Sequence, residues 1–141
     1  MLLAAIAVSA TACTSLYRRT QVEMPPNVAA ELTLRISGAQ KAEQITRQAA
    51  ATLRDNLMRA DGASWHESDF DRLEAAAFDF ERRVLAARDV AERSGEPDTI
   101  AMEIERLSKQ AQLWLEYAQT HRAADQATRL KALETLLHLQ R

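Results

Sequence analysis

The sequence predicts an all-α protein, an elongated antiparallel three-helix bundle with coiled-coil-like packing, and leaves open a fourth C-terminal helix. Three observations support this. Residues that favour helices dominate the 141-residue chain, whereas strand-forming residues such as Tyr and Trp occur only twice each. Gly and Pro occur only three times each, so the chain has few turns. Apolar residues recur at spacings of three and four, which places them on one face of a helix.

The first predicted helix runs from about Val28 to Ala60. Asn27, after two prolines, is its predicted N-cap, and Gly62 lies in its predicted stop. A single apolar stripe marks the face expected in the core. Its residues are Val28, Leu32, Ile36, Ala39, Ala42, Ile45, Ala49, Leu53, Leu57 and Ala60.

The second predicted helix begins at a capping box. Ser64 and Glu67 have the S-x-x-E spacing in which each side chain satisfies a free backbone N–H. Gly95 ends the helix, and Pro97 prevents it from continuing. The apolar residues between these ends alternate in steps of three and four, the pattern of a coiled-coil seam. They are Phe70, Leu73, Ala77, Phe80, Val84, Ala87 and Ala91.

The third predicted helix begins at Asp98, its predicted N-cap, and no Gly or Pro follows before Arg141. Its first apolar stripe is Ile100, Ile104, Leu107, Ala111, Trp114 and Ala118. The stripe changes phase near His121, and a rotated set follows. This set is Ala127, Leu130, Leu133, Leu136 and Leu137. The change indicates either a stutter in one long helix or a break into a fourth.

The lengths of the three helices define a C-terminal overshoot. Short turns make neighbouring helices antiparallel, so an unbroken third helix extends past the others by about residues 126–141. Either the chain breaks near 121–125 and folds back over the 61–65 end, or the helix projects. Since no Gly or Pro marks a break, we expect projection. Four leucines are then predicted to contact a partner protein or a second copy: Leu130, Leu133, Leu136 and Leu137.

Composition and motifs exclude several functional classes. The net charge is −2 and no basic block occurs, so nucleic acid is not an expected partner. The three histidines, His66, His121 and His138, lack the spacing of a metal site. The acidic start of the second helix lacks the loop that calcium binding needs. No motif of a nucleophile, a phosphate loop or a zinc protease appears. We therefore expect no enzymatic activity, no cofactor and no metal.

The N-terminal residues have the pattern of a targeting signal. An apolar run from Leu2 to Ala12 is too short to span a membrane, has the h-region of a secretory signal and ends at Cys13, the single cysteine. The residues Thr11-Ala12-Cys13 resemble the lipobox of bacterial lipoprotein precursors. The alternatives from the residues alone are cleavage after Ala12, which gives a secreted protein, and a cytosolic chain.

The lipoprotein resemblance implies an organisation for the whole chain. Residues 1–12 are then the signal peptide, 13–27 a lipidated tether and 28–141 the helical bundle domain. Cys13 carries the lipid that anchors the protein to the membrane. Thr14, in the sorting pattern of the family, implies the periplasmic side of the outer membrane, with the inner membrane as the alternative.

Two functions remain as hypotheses at this stage. The first is a non-enzymatic protein-interaction module, such as an adaptor, a pilotin-like chaperone or an accessory subunit of an envelope assembly. The alternative is a ligand-binding or stress-sensing bundle with a small-molecule pocket in its core. We expect such a pocket to be lined by Phe78, Phe80, Trp114 and Tyr117.

Overall fold

A computed structural model of the protein describes residues 25–59, 67–95 and 98–139, and these form four packed helices. They are α1 (Pro26–Leu57), α2 (Glu67–Ser94), α3 (Asp98–Thr120) and α4 (Gln126–Leu139). The described segments contain no strand. The predicted all-α helical bundle is therefore confirmed, with four helices. Among the described helices, none is long and apolar enough to cross a membrane.

The helix ends follow the prolines and one glycine. Pro25 precedes the first turn of α1 and Pro26 occupies its first position, where the fixed φ of proline suits a helix. Asn27 lies inside α1, so its predicted role as N-cap is wrong. Gly95 has a φ of 64° and ends α2 as predicted, because this left-handed conformation is accessible to glycine. The predicted signals at Gly62 and Ser64 lie outside the described residues.

The core confirms most of the predicted stripes. All seven seam residues of α2 are buried, and so are five of the six stripe residues of α3, with Ile100 partly buried. The prediction that Ile45 of α1 lies in the core is wrong, because half of its surface is exposed. Thr46 takes its place in the core, where its hydroxyl donates to the backbone oxygens of Ala42 at 2.8 Å and Ala76 at 3.2 Å. Thr46 can be buried in place of the more apolar Ile45 because its hydroxyl is hydrogen-bonded.

The predicted projection of the C-terminal segment is wrong. α3 ends at Thr120, a turn follows, and α4 folds back against α1 and α3. Asp125 begins α4 as its N-cap. Its carboxylate accepts the Thr128 backbone N–H at 3.0 Å and the Thr128 hydroxyl at 3.1 Å. A capping carboxylate thus starts the new helix without any Gly or Pro.

Folding back places the predicted partner-binding leucines against the bundle's own core. Leu133 is fully buried and Leu137 nearly so, while Leu130 and Leu136 are partly buried against the same core. Leu133 and Leu137 are thus covered by this chain itself, and only the edges of the other two remain accessible. The bare leucine patch expected from the sequence does not exist in this fold.

Polar contacts hold the α3–α4 turn in place. The Tyr117 hydroxyl donates to the backbone oxygen of Arg129 at 2.8 Å. Gln126 Nε2 donates to the Leu57 backbone oxygen at 2.6 Å, which joins the start of α4 to the end of α1. Arg122 reaches α2 and forms ion pairs with three acidic residues of its first turns. They are Glu67 at 2.8 Å, Asp71 at 2.9 Å and Glu74 at 3.1 Å.

Candidate docking surfaces

An apolar stripe runs along the outside of α1. Leu34 is 71% exposed and Ile45 is 50% exposed. They lie eleven residues apart, three turns of a helix, and therefore point in nearly the same direction. Gly38 and Lys41 occupy the turns between them. This stripe is separate from the buried stripe of α1, and sequence analysis missed it because Ile45 was assigned to the core.

A shallow groove lies between this stripe and α2. Its floor is made of small residues, Ala30, Gly38 and Ala86, beside the exposed Leu34. A Cβ on Gly38 would lie 3.5 Å from Arg83 Nη1, an ordinary contact, so glycine leaves a small recess there. We call this surface the α1–α2 groove. Its full lining is Asn27, Ala30, Glu31, Leu34, Arg35, Ser37, Gly38, Lys41, Arg83 and Ala86.

The charge at the rim of the α1–α2 groove is mainly positive. Three cations, Arg35, Lys41 and Arg83, line it together with one acid, Glu31. Glu31 lies 3.5 Å from Arg35. Arg83 Nε donates to the Asp79 carboxylate at 2.8 Å, and this hydrogen bond is the main reason why the pKa of Asp79 lies below its usual value. Lys41 is the rim cation without an ion pair among the described residues, so a carboxylate of a partner would meet favourable charge there.

A second exposed surface lies on the outside of α2. Phe78 is 48% exposed and Leu85 is 53% exposed. Asp71, Phe78, Leu85 and Glu92 follow one another at intervals of seven residues and so share one side of the helix. Glu74 and Glu81 lie next to this row. We call these six residues the outer face of α2; it combines two large apolar side chains with four carboxylates. The exposed Arg82, four residues after Phe78, lies on the same side and pairs with Asp79.

The groove between α1 and α3 is closed by polar contacts. The Arg106 guanidinium of α3 donates to both carboxylate oxygens of the buried Glu43, at 2.9 and 3.1 Å. Arg106 also bonds Glu103 at 2.9 Å, and Gln40 bonds the same carboxyl at 3.0 Å. The Arg106 hydrogen bond is the largest reason why the pKa of Glu103 lies below its usual value. Toward the C-terminal end of α1, α4 packs against both α1 and α3.

A smaller groove lies between α3 and α4. Leu113, Tyr117, His121, Lys131 and Leu136 are among its lining residues. The rings of Tyr117 and His121 stack with 4.6 Å between their centroids. Burial raises the pKa of the Tyr117 hydroxyl. This open surface groove differs from the core pocket predicted as the alternative site.

The predicted core pocket is not formed by its four residues. Phe80 and Trp114 are fully buried, and Tyr117 is nearly so. Phe78 lies on the outer face of α2, on the opposite side of the helix from the seam, and so cannot line a core pocket with them. Within the described ranges, no three His, Cys, Asp or Glu side chains are arranged to hold a metal ion. Cys13, the predicted lipidation site, lies outside the described residues.

Comparisons with known proteins add no family. No protein-family model matches the chain. Neither the curated proteins nor the solved structures give a significant match.

Proposed function

We propose that this protein is a non-enzymatic protein-interaction module, carried on a lipoprotein that Cys13 anchors at the periplasmic side of the outer membrane. The observation that carries the interaction role is the α1–α2 groove. It combines an exposed large apolar side chain, Leu34, a floor of small residues and a cationic rim. Apolar surface surrounded by polar residues is typical of protein-binding sites.

The position of the groove is consistent with an anchored protein. Leu34 lies in the third turn of α1, near the end of the bundle at which the chain arrives from Cys13. The thirteen residues from Cys13 to Pro25 span at most about 45 Å when extended. A partner in the α1–α2 groove would therefore lie close to the membrane surface.

Two experiments in intact cells test the proposal. A photo-crosslinking amino acid at Leu34 of the full chain should give a discrete protein adduct. The same probe at Glu134, an exposed α4 residue outside the groove, should not. Labelling with a clickable palmitate should tag the wild type and not Cys13→Ser. An adduct pattern identical at both probe positions would contradict the groove, and equal labelling would contradict the anchor.

The α3–α4 groove supports a second candidate function, binding of a small anionic amphiphile. Leu113 and Leu136 supply apolar contacts, and Lys131 supplies a positive charge beside them. Lys131→Glu should then weaken binding of a fluorescent fatty acid by about tenfold, the effect of about 1.4 kcal/mol. Lys41→Glu, an exposed lysine of α1 that does not line this groove, is the matched control. Equal binding by both variants would remove this candidate.

A further inference from the structure

We infer that the occupant of the α1–α2 groove is a second copy of this chain, which docks the outer face of its α2. This inference rests on the proposed function, because it names the partner of the same groove. Three observations carry it: complementary charge, matching heights along the bundle, and a recess opposite an exposed leucine.

The two surfaces carry opposite charges. Of the three cations that line the α1–α2 groove, Arg35 pairs with Glu31 and Arg83 with Asp79, which leaves Lys41 without an ion pair among the described residues. The outer face of α2 carries four carboxylates, two of which are bridged by Arg122. None of the ion pairs found between described residues involves Glu81 or Glu92. Lys41 in the groove of one copy and these unpaired carboxylates on the next copy would attract each other.

Internal contacts set the relative heights of α1 and α2. Thr46 of α1 touches the backbone oxygen of Ala76, at 3.2 Å. The two helices are antiparallel. A residue n positions before Thr46 in α1 therefore lies level with the residue n positions after Ala76 in α2. The position of Gly38 beside Arg83 agrees with this rule to within one residue.

When two copies stand side by side in the same orientation, this rule brings the two surfaces into register. The neighbour's α2 then lies antiparallel to α1, at the same height as the α2 within one copy. The exposed apolar residues of the neighbour's α2 then face the exposed stripe of α1, and Glu81 of the neighbour faces Lys41. The pairs brought to about one level are Leu85 with Gly38, Phe78 with Ile45, and Glu81 with Lys41.

The shapes of these pairs are also compatible. Gly38 leaves a recess with Ala30 and Ala86 beside it, and the side chain of Leu85 projects opposite that height. Phe78 and Leu85 are separated by seven residues, about 10 Å along a helix, as are Gly38 and Ile45. The two apolar contacts and the ion pair between them therefore have the same spacing on both surfaces.

The contact is heterologous, since each copy uses its α1–α2 groove toward one neighbour and its outer face toward the other. This asymmetry gives a direct test in the full chain. Two differently tagged copies are produced together in the same cells, and a photo-crosslinking amino acid replaces Leu34 in one of them. The expected product is an adduct carrying both tags, crosslinked within residues 67–94 of the second copy.

Substitutions distinguish the copy that supplies the α1–α2 groove from the copy that supplies the outer face of α2. Leu85→Lys in the second copy should reduce the adduct about tenfold, as loss of a central interface contact does. The same substitution in the probe-bearing copy should leave the adduct unchanged. Lys41→Glu in the probe-bearing copy should reduce it, and Glu81→Lys in the second copy should restore it. Leu85 and Lys41 are exposed, so the melting temperatures of the variants should match the wild type.

Each other result overturns the inference. Crosslinking to α1 of the second copy would mean a symmetric dimer. An adduct with a different protein alone would remove the second copy as partner but leave the proposed interaction role intact. No adduct with any protein would remove both. Equal sensitivity to Leu85→Lys in either copy would remove the heterologous arrangement.

Discussion

Docking of α4 predicts a large energetic role for one leucine. Leu133 is fully buried, whereas Leu136 in the same helix is only partly buried. Truncation of a buried leucine to alanine removes its transfer free energy and leaves a cavity, which together cost about 2.7–5.0 kcal/mol. α4 is short and lies at the edge of the bundle, so part of the cavity can collapse. We expect Leu133→Ala to lower the free energy of unfolding by about 3 kcal/mol.

Urea unfolding followed by circular dichroism measures this loss on a chain that begins at Pro25. About 3 kcal/mol corresponds to a fall of roughly 12 °C in melting temperature for a domain of this size. Leu136→Ala is the matched control and should cost less than about 1.5 kcal/mol, because it is already partly solvated. If Leu133→Ala costs less than about 1 kcal/mol, α4 is not docked as described, and the projecting helix expected from the sequence becomes correct.

Three further predictions follow from the core and its polar contacts. Phe80→Ala should cost about 3–5 kcal/mol in urea unfolding, whereas Phe78→Ala should cost less than about 1 kcal/mol, because its ring is half exposed; similar losses would mean that the seam is misplaced. Glu43→Gln should lower the stability by about 1–2 kcal/mol, since it weakens two hydrogen bonds to the half-exposed Arg106; an unchanged melting temperature would contradict this. In a chain that begins at Pro25, Tyr117 is the single tyrosine, so absorbance titration reports one phenol. Burial raises the pKa of this phenol in the folded protein, whereas the phenol of the unfolded chain ionises near pH 10. The free energy of unfolding should therefore fall as the pH rises above about 10, and Tyr117→Phe should remove that part of the loss. Reversible ionisation of Tyr117 in the folded protein near pH 10 would contradict its burial.

The sequence predicted the buried seam of α2 because its pattern has one solution. Phe70, Leu73, Phe80 and Val84 are the large members of a single stripe, and no second apolar stripe of comparable length competes with it. α2 packs against α1 on one side and α3 on the other. A central helix with one apolar side can bury only that side. Periodicity alone was therefore sufficient for the seam, although it did not include the buried Val90.

α1 was harder to predict because it carries two stripes. Leu34 and Ile45 belong to an exposed stripe, and Thr46 belongs to the core. A hydrophobicity ranking prefers Ile45, since it cannot anticipate that a buried hydroxyl will find two backbone oxygens. The α1–α2 groove was missed for the same reason. A groove between two helices depends on their relative rotation, which the pattern within one helix does not determine.

The sequence contains an indication of the break before α4, although no Gly or Pro occurs there. Asp125 is followed three residues later by Thr128, and the two form the cap that starts α4. The change of stripe phase near His121 pointed to the same place. A carboxylate cap and a phase change together were stronger indicators of a break than the missing helix breakers were of continuity. The leucines of α4 then became core residues rather than a partner surface.

The arrangement of α4 also limits how a partner can approach. The Glu43–Arg106 pair and α4 occupy much of the groove between α1 and α3, whereas the α1–α2 groove is open along the first turns of α1. If each copy is anchored at its N-terminus, all copies share one orientation relative to the membrane. The proposed contact between unlike surfaces must then repeat by rotation about an axis perpendicular to the membrane. It closes into a ring if that rotation divides a full turn, and otherwise extends as a lateral row. A symmetric two-fold dimer would use like surfaces and leave the acidic face of α2 unmatched, so the stoichiometry of the crosslinked assembly distinguishes these outcomes.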